Sequence, residues 1–210
     1  MKCGALEAIF RECRFDRSRS LRMIRAFAAI ALPPEIRESL VRLQAGLPSG
    51  RPVPPENLHL TLVFLGELPE PVLEDVHLAF AAIRAERFDM TLSGLGLFGG
   101  ARPRNLHACL AESVALCHLQ ARLETAARRA GASPERRRFS PHVTLATLRP
   151  GQGDPGRLER AVIAGSDFRA GPFPVESFGL YRSELGRNGA VHTELAQYAL
   201  FSSQLAFPEP

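Results

Sequence analysis

Apolar and polar positions along the chain switch between two periods. Short runs alternate every second residue, as half-buried strands do, and longer stretches repeat every three to four, as amphipathic helices do. Residues 24–32 read as a strand, and Pro33-Pro34 opens a helix over 34–46. A turn-rich connector, GLPSGRPVPPEN, leads to NLHLTLVFL (57–65), a strand ended by Gly66. Within it Leu58, Leu60, Leu62 and Phe64 fall on one face and His59, Thr61 and Val63 on the other. PEPVLEDVHLAFAAIRAE is an amphipathic helix with Val72, Val76, Phe80 and Ile83 near one face. FDMTLSGLGLF and RNLHACLAE read as strands around the loop GGARP. Residues 113–130 form a helix capped by Ser113 and closed by Gly131. A basic loop, SPERRRFSP, precedes the strand HVTLATL (142–148). A short helix near 155–164 and a hairpin of PFPVESFGLYRSEL with GAVHTELAQYALF complete the chain. The strands are mostly not separated by regular crossovers, which predicts an α+β fold with antiparallel sheets.

One pattern recurs. His-x-Thr-Leu occurs at His59 and again at His142, 83 positions later, and parity again places His142 and Thr144 on one face. With six histidines and six threonines in 210 residues, chance predicts about 0.17 His-x-Thr matches. Two matches inside apolar strand-like runs arise by chance in about one or two such chains per hundred. Each is preceded by a Pro-containing polar turn, PPEN and RRRFSP. The implication is a duplicated unit, or two lobes, each presenting one His and one Thr.

Composition changes this picture little. A hydrophobic content of 45% and a charged content of 23% are ordinary for a globular chain. The net charge of +4 is concentrated in residues 1–22, where six cations face three carboxylates. The high pI is therefore weak evidence for a nucleic-acid surface. Residues 1–22 read as a disordered extension or upstream mis-start, 23–202 as one domain, and 203–210 as a tail. No window approaches the ~18 apolar residues of a membrane span. Cys3, Cys13, Cys109 and Cys117 have no framework or zinc spacing, so reduced thiols, a cytoplasmic location and no metal or other cofactor are expected.

Two imidazoles across a cleft can divide acid and base roles near neutral pH. Two hydroxyls beside them can donate hydrogen bonds to the oxygens of an anion. Together they suit in-line displacement at phosphorus without a metal.

The duplicated HLTL and HVTL resemble the 2H phosphoesterase superfamily, and in particular its RNA 2′,3′-cyclic phosphodiesterase branch, once described as a 2′-5′ RNA ligase. The likeness runs through RAFAAIALPPEIRESL, NLHLTLVFLGEL, FGGARPRNLHACL, FSPHVTLATLR and LYRSELGRNGAVHTEL. It implies a bilobal, pseudo-duplicated fold with two antiparallel sheets and flanking helices around a central groove. It implies hydrolysis of RNA or nucleotide 2′,3′-cyclic phosphate ends to 2′-phosphates. His59 would be the proton donor and His142 the proton acceptor, with Thr61 and Thr144 on the phosphate. Relatives often carry arginine where this chain has Thr147, so Arg149 is a candidate substitute. Relatives often carry tyrosine where it has His192.

Further candidates for substrate contact are Phe98 and Phe139, which could stack on a base. Arg102 and Arg104 lie in the segment resembling the groove edge, and Arg136, Arg137 and Arg138 form a basic cluster before His142. His77, His107 and His118 read as structural. The expected partner is RNA or a small nucleotide ending in a cyclic phosphate, with no membrane and a monomeric protein. Two other readings stand beside hydrolysis: 2′-5′ joining of RNA ends, and a nucleotide- or RNA-binding module without catalysis, which Thr147 favours.

Overall fold

The computed structural model describes residues 22–100, 102–135, 138–149, 151, 153–186 and 189–202. The expected extension (apart from Arg22), the 203–210 tail, and Arg136 and Arg137 lie outside the described residues.

The described residues form nine strands and four helices. Strand β1 (Met23–Ala31) leads through α1 (Pro34–Ala45), the two-residue β2 (Arg51–Pro52) and a single turn at Pro55–Asn57 into β3 (His59–Pro69). Helix α2 (Glu70–Ala81) connects to β4 (Phe88–Phe98). Strand β5 (Asn105–Leu110), α3 (Val114–Arg129), β6 (His142–Thr147), α4 (Pro155–Ala164) and β7 (Arg169–Val175) then repeat the same order, and β8 (Ser177–Gly186) and β9 (Gly189–Ala199) close the chain as a hairpin. Local chemistry fixes the helix starts. Pro34 and Pro155 occupy first turns where no N–H partner exists. The Oγ of Ser113 accepts from the N–H of Leu116 at 3.2 Å, and Oδ1 of Asp154 from that of Gly156 at 2.9 Å.

The strand order is β7-β4-β5-β6-β3-β1-β8-β9, with β2 on β6, and every ladder is antiparallel. The two expected sheets are its two halves, β9-β8-β1-β3 and β6-β5-β4-β7, each with a His-x-Thr strand innermost. They are joined at one paired position, Leu60 opposite Val143. Both residues are fully buried in a core that includes Leu40, Phe80, Leu106 and Leu123 from the helices and sheet. Helices α2 and α3 pack on each other, and both reach β3.

Two sequence expectations change. Alternation along β3 fails after Leu62: Val63 is buried, whereas Phe64 is 43% exposed. The register to β1 slips twice, passing over Leu62 and Leu65, and each bulge reverses the faces of the residues beyond it. The expected C-terminal hairpin is also shorter, because residues 172–175 belong to β7, which pairs with β4 in the other half. Pro172 and Pro174 lack ladder donors, and β7 lies at the sheet's edge, where prolines are tolerated.

Candidate active site

The joint between the halves arranges the motifs. In an antiparallel pair, residues flanking a matched position face each other on the opposite side of the sheet. Because Leu60 is opposite Val143, His59 and Thr61 flank that position on one strand, and His142 and Thr144 on the other, all on the same face. All four line one cleft of about 220 Å³. On this register the two histidines occupy diagonal corners.

Each imidazole is fixed by the same device. The Nδ1 of His59 is 2.7 Å from the carbonyl oxygen of Asn57, and that of His142 is 2.8 Å from the carbonyl oxygen of Ser140. A carbonyl only accepts, so each Nδ1 carries hydrogen and the neutral ring keeps its lone pair on Nε2. The hydroxyl of Thr61 donates to this lone pair on His59 at 3.1 Å. The carbonyl of Asn57 is itself held in place, because the Asn57 side-chain amide donates to the carbonyl of Ala190 in β9 at 2.8 Å.

Aromatic rings back both histidines. Phe27 stacks on His59 with centroids 5.0 Å apart and meets His192 edge-on at 4.9 Å. His192 meets His59 edge-on at 5.3 Å and has a buried Nδ1 with no partner among the described residues. Burial pushes the pKa of His59 down to about 4 against the raising effect of the Asn57 carbonyl, with His192 and His142 adding to the fall. His142 is bordered edge-on by Phe98 at 4.8 Å and by His107 at 5.1 Å. His107 is buried, donates from Nδ1 to Oδ1 of Asn105 at 3.2 Å and stacks on Phe98. Burial, with the nearby His142, also lowers its pKa to about 4.

A bulge extends the site along β6. His107 is opposite Thr144 and Leu106 opposite Ala146, so Leu145 is passed over. Leu145 and Ala146 are both buried, and the reversal brings Thr147 onto the face of His142 and Thr144. Gln44 of α1, itself buried, fixes the bulge. Its Nε2 donates to the carbonyls of Leu145 at 2.7 Å and Val53 at 2.9 Å. This holds β2 against β6 with Arg51 opposite Thr147.

Of the residues expected from sequence, His59, Thr61, His142, Thr144 and His192 line the cleft. Phe98 does not; it packs behind His142. Phe139 is half-buried against the core. Arg102 and Arg104 are on the β4–β5 turn, and Arg149 is exposed beyond the end of β6; none of the three lines the cleft. His77 has the structural role expected, with Nδ1 2.8 Å from the Tyr198 hydroxyl. Sequence reading missed Arg51 and Asn57, which do line the cleft. Asn57 had no signal of its own, since what holds His59 is its backbone carbonyl, which any residue at that position would supply. Arg51 had none, because its place depends on a two-residue strand. Among the described residues no group of three or more His, Cys, Asp or Glu is placed to hold a metal ion.

A sheet built from two repeats, each giving one His-x-Thr strand to a shared cleft, defines a phosphoesterase of the two-histidine kind. The family described as LigT like Phosphoesterase matches residues 30–107 and 111–192, and the chain belongs to it. It is similar to two proteins named RNA 2′,3′-cyclic phosphodiesterase. One, from Aeropyrum pernix, is 34% identical over 170 residues, which is 80% of this chain and 94% of that protein. The other, from Thermus thermophilus, is 35% identical over 191 residues, 84% of this chain and 90% of that protein. The crystal structure of Escherichia coli LigT complexed with 3′-AMP matches with a TM-score of 0.69 and 30% identity, covering 85% of this chain and 99% of that one.

Proposed function

We propose that the protein hydrolyses 2′,3′-cyclic phosphate ends of RNA or small nucleotides to 2′-phosphates, without a metal. The observation that carries this is the pair of imidazoles, each with Nδ1 on a backbone carbonyl, sharing one cleft with two threonine hydroxyls. The relatives' names and the nucleotide in the similar crystal structure support the substrate class.

His142 takes a proton from water through Nε2 as the water oxygen bonds to phosphorus. The bond from phosphorus to the 3′ oxygen breaks, and His59 Nε2 protonates that oxygen. The product carries a 2′-phosphate and a 3′-hydroxyl, and solvent restores the two rings. The order of the roles is the one the family resemblance implies. Thr61 and Thr144 hold phosphate oxygens.

The lowered pKa of His59 fits a donor that is charged only when substrate is present. A phosphate monoanion about 5 Å away, at an effective dielectric near 20, favours the imidazolium by roughly 3 kcal/mol. Raising a pKa from about 4 to 6.5 takes a comparable ~3 kcal/mol. Protonation of Nε2 also ends its acceptance of the Thr61 hydroxyl hydrogen, which then turns to a phosphate oxygen. Substrate binding thus arms the acid and frees the phosphate donor together.

The free thiols Cys109 and Cys117 suit a reducing compartment, and we place the activity in the cytoplasm. The test is turnover of an oligonucleotide ending in a 2′,3′-cyclic phosphate, in chelator, with the position of the product phosphate determined. His59→Ala and His142→Ala should each lose about 10²–10⁴-fold in kcat. Full turnover by His142→Ala defeats the proposal.

A further inference from the structure

Arg51 is the only residue lining the cleft, among those described, with a formal charge, and no carboxylate lines it. An anion entering this space therefore meets one fixed cation. Opposed residues of an antiparallel ladder project to the same face. Arg51 is opposite Thr147, and the Leu145 bulge has already turned Thr147 into the cleft. The guanidinium lies against β9, where a Cβ at Gly189 would come 3.4 Å from Nη2. The Gln44 amide holds the carbonyl after β2 and the bulge carbonyl of β6 together, so the strand bearing Arg51 is anchored to the strand bearing His142 and Thr144.

We infer that Arg51 binds the substrate's phosphate, supplying a charge-assisted hydrogen bond at the Thr147 end of the row His142, Thr144, Thr147. This rests on the reading of the cleft as a cyclic-phosphate hydrolase site. Arg51 takes no proton and forms no bond; it holds the anion equally in ground and transition states. Removing it should raise KM and spare kcat. Because Thr147 opposes it across one ladder position, an arginine introduced there can reach the same space.

The experiment compares wild type, Arg51→Ala, Arg51→Lys and the double variant Arg51→Ala/Thr147→Arg. It measures steady-state hydrolysis of a cyclic-phosphate-terminated oligonucleotide and, by calorimetry, the Kd of a nucleoside 2′-monophosphate. Arg51→Ala should raise KM and that Kd on the order of 10- to 100-fold, with kcat changed less than about threefold. Arg51→Lys should fall between, since it keeps the charge without the planar fork. The double variant should recover about tenfold or more of the loss. The inference is overturned if Arg51→Ala leaves KM and Kd within about twofold of wild type, or if the double variant binds no better than Arg51→Ala. A wild type that fails to hydrolyse the substrate refutes the function proposed above, while the Kd series still decides whether Arg51 holds a phosphate. A wild type that turns over, with Arg51→Ala unaffected, refutes only Arg51.

Discussion

His59 and His142 share a sequence pattern and an Nδ1 contact but differ in surroundings. Phe27 covers one face of His59 and His192 meets it edge-on, and burial pushes its pKa down to about 4. The pH dependence of turnover should show this. The profile of kcat/KM reports the free enzyme, and that of kcat the substrate complex. One limb of kcat/KM should therefore lie near pH 4, and the matching limb of kcat should lie higher, displaced by the phosphate charge. Coincident limbs in the two profiles would contradict a donor armed by its substrate. At this scale the sequence was highly informative: a His-x-Thr repeat inside strand-like runs identified four cleft residues. It was silent on the tautomer, because the partners are backbone carbonyls that any residue at positions 57 and 140 would supply.

Irregularities in the strands set what the cleft contains. Strict alternation puts Ala146 and Leu148 on the face of His142; the bulge at Leu145 substitutes Thr147 and brings Arg51 with it. Gln44 holds this arrangement with two hydrogen bonds from one buried amide. Gln44→Leu removes both donors while keeping an apolar side chain of similar size. The Val53 carbonyl is left short of a partner, and the Leu145 carbonyl retains only the N–H of Val53 at 2.8 Å. We expect a loss of about 1–3 kcal/mol in unfolding free energy, read from urea melts, together with a higher KM as β2 loosens. Unchanged stability would show that the bulge is held by the strands alone. The helices and most strands were legible because apolar period and caps are local signals, as with Ser113 and the Pro34 start. Bulges and the two-residue β2 were not, since each is fixed by pairing with residues about 30 to 100 positions away. The same reason moved residues 172–175 from the expected hairpin to the far edge of the other half.

The repeat β1-α1-β3-α2-β4 and β5-α3-β6-α4-β7 gives a molecule whose halves meet where the chemistry is, at Leu60 and Val143. Holding neutral histidines at such a joint has a consequence for the whole fold. His59 and His107 have folded-state pKa values of about 4, below the 6.5 expected in the unfolded chain. Between those values the unfolded state binds more protons than the folded one, so stability rises with pH across this window. It is lost as pH falls from about 6.5 toward 4. Each such histidine contributes a slope of up to about 1.4 kcal/mol per pH unit. His107→Phe separates this effect from the titration of carboxylates. Phenylalanine can keep the stacking on Phe98, seen at 4.2 Å, and cannot take up a proton in either state. The variant's unfolding free energy should depend less steeply on pH than wild type's between about pH 6 and 4.5, by about one proton's slope. If the two slopes are equal, His107 does not stay neutral in the folded protein, and a charged ring would then stand against His142.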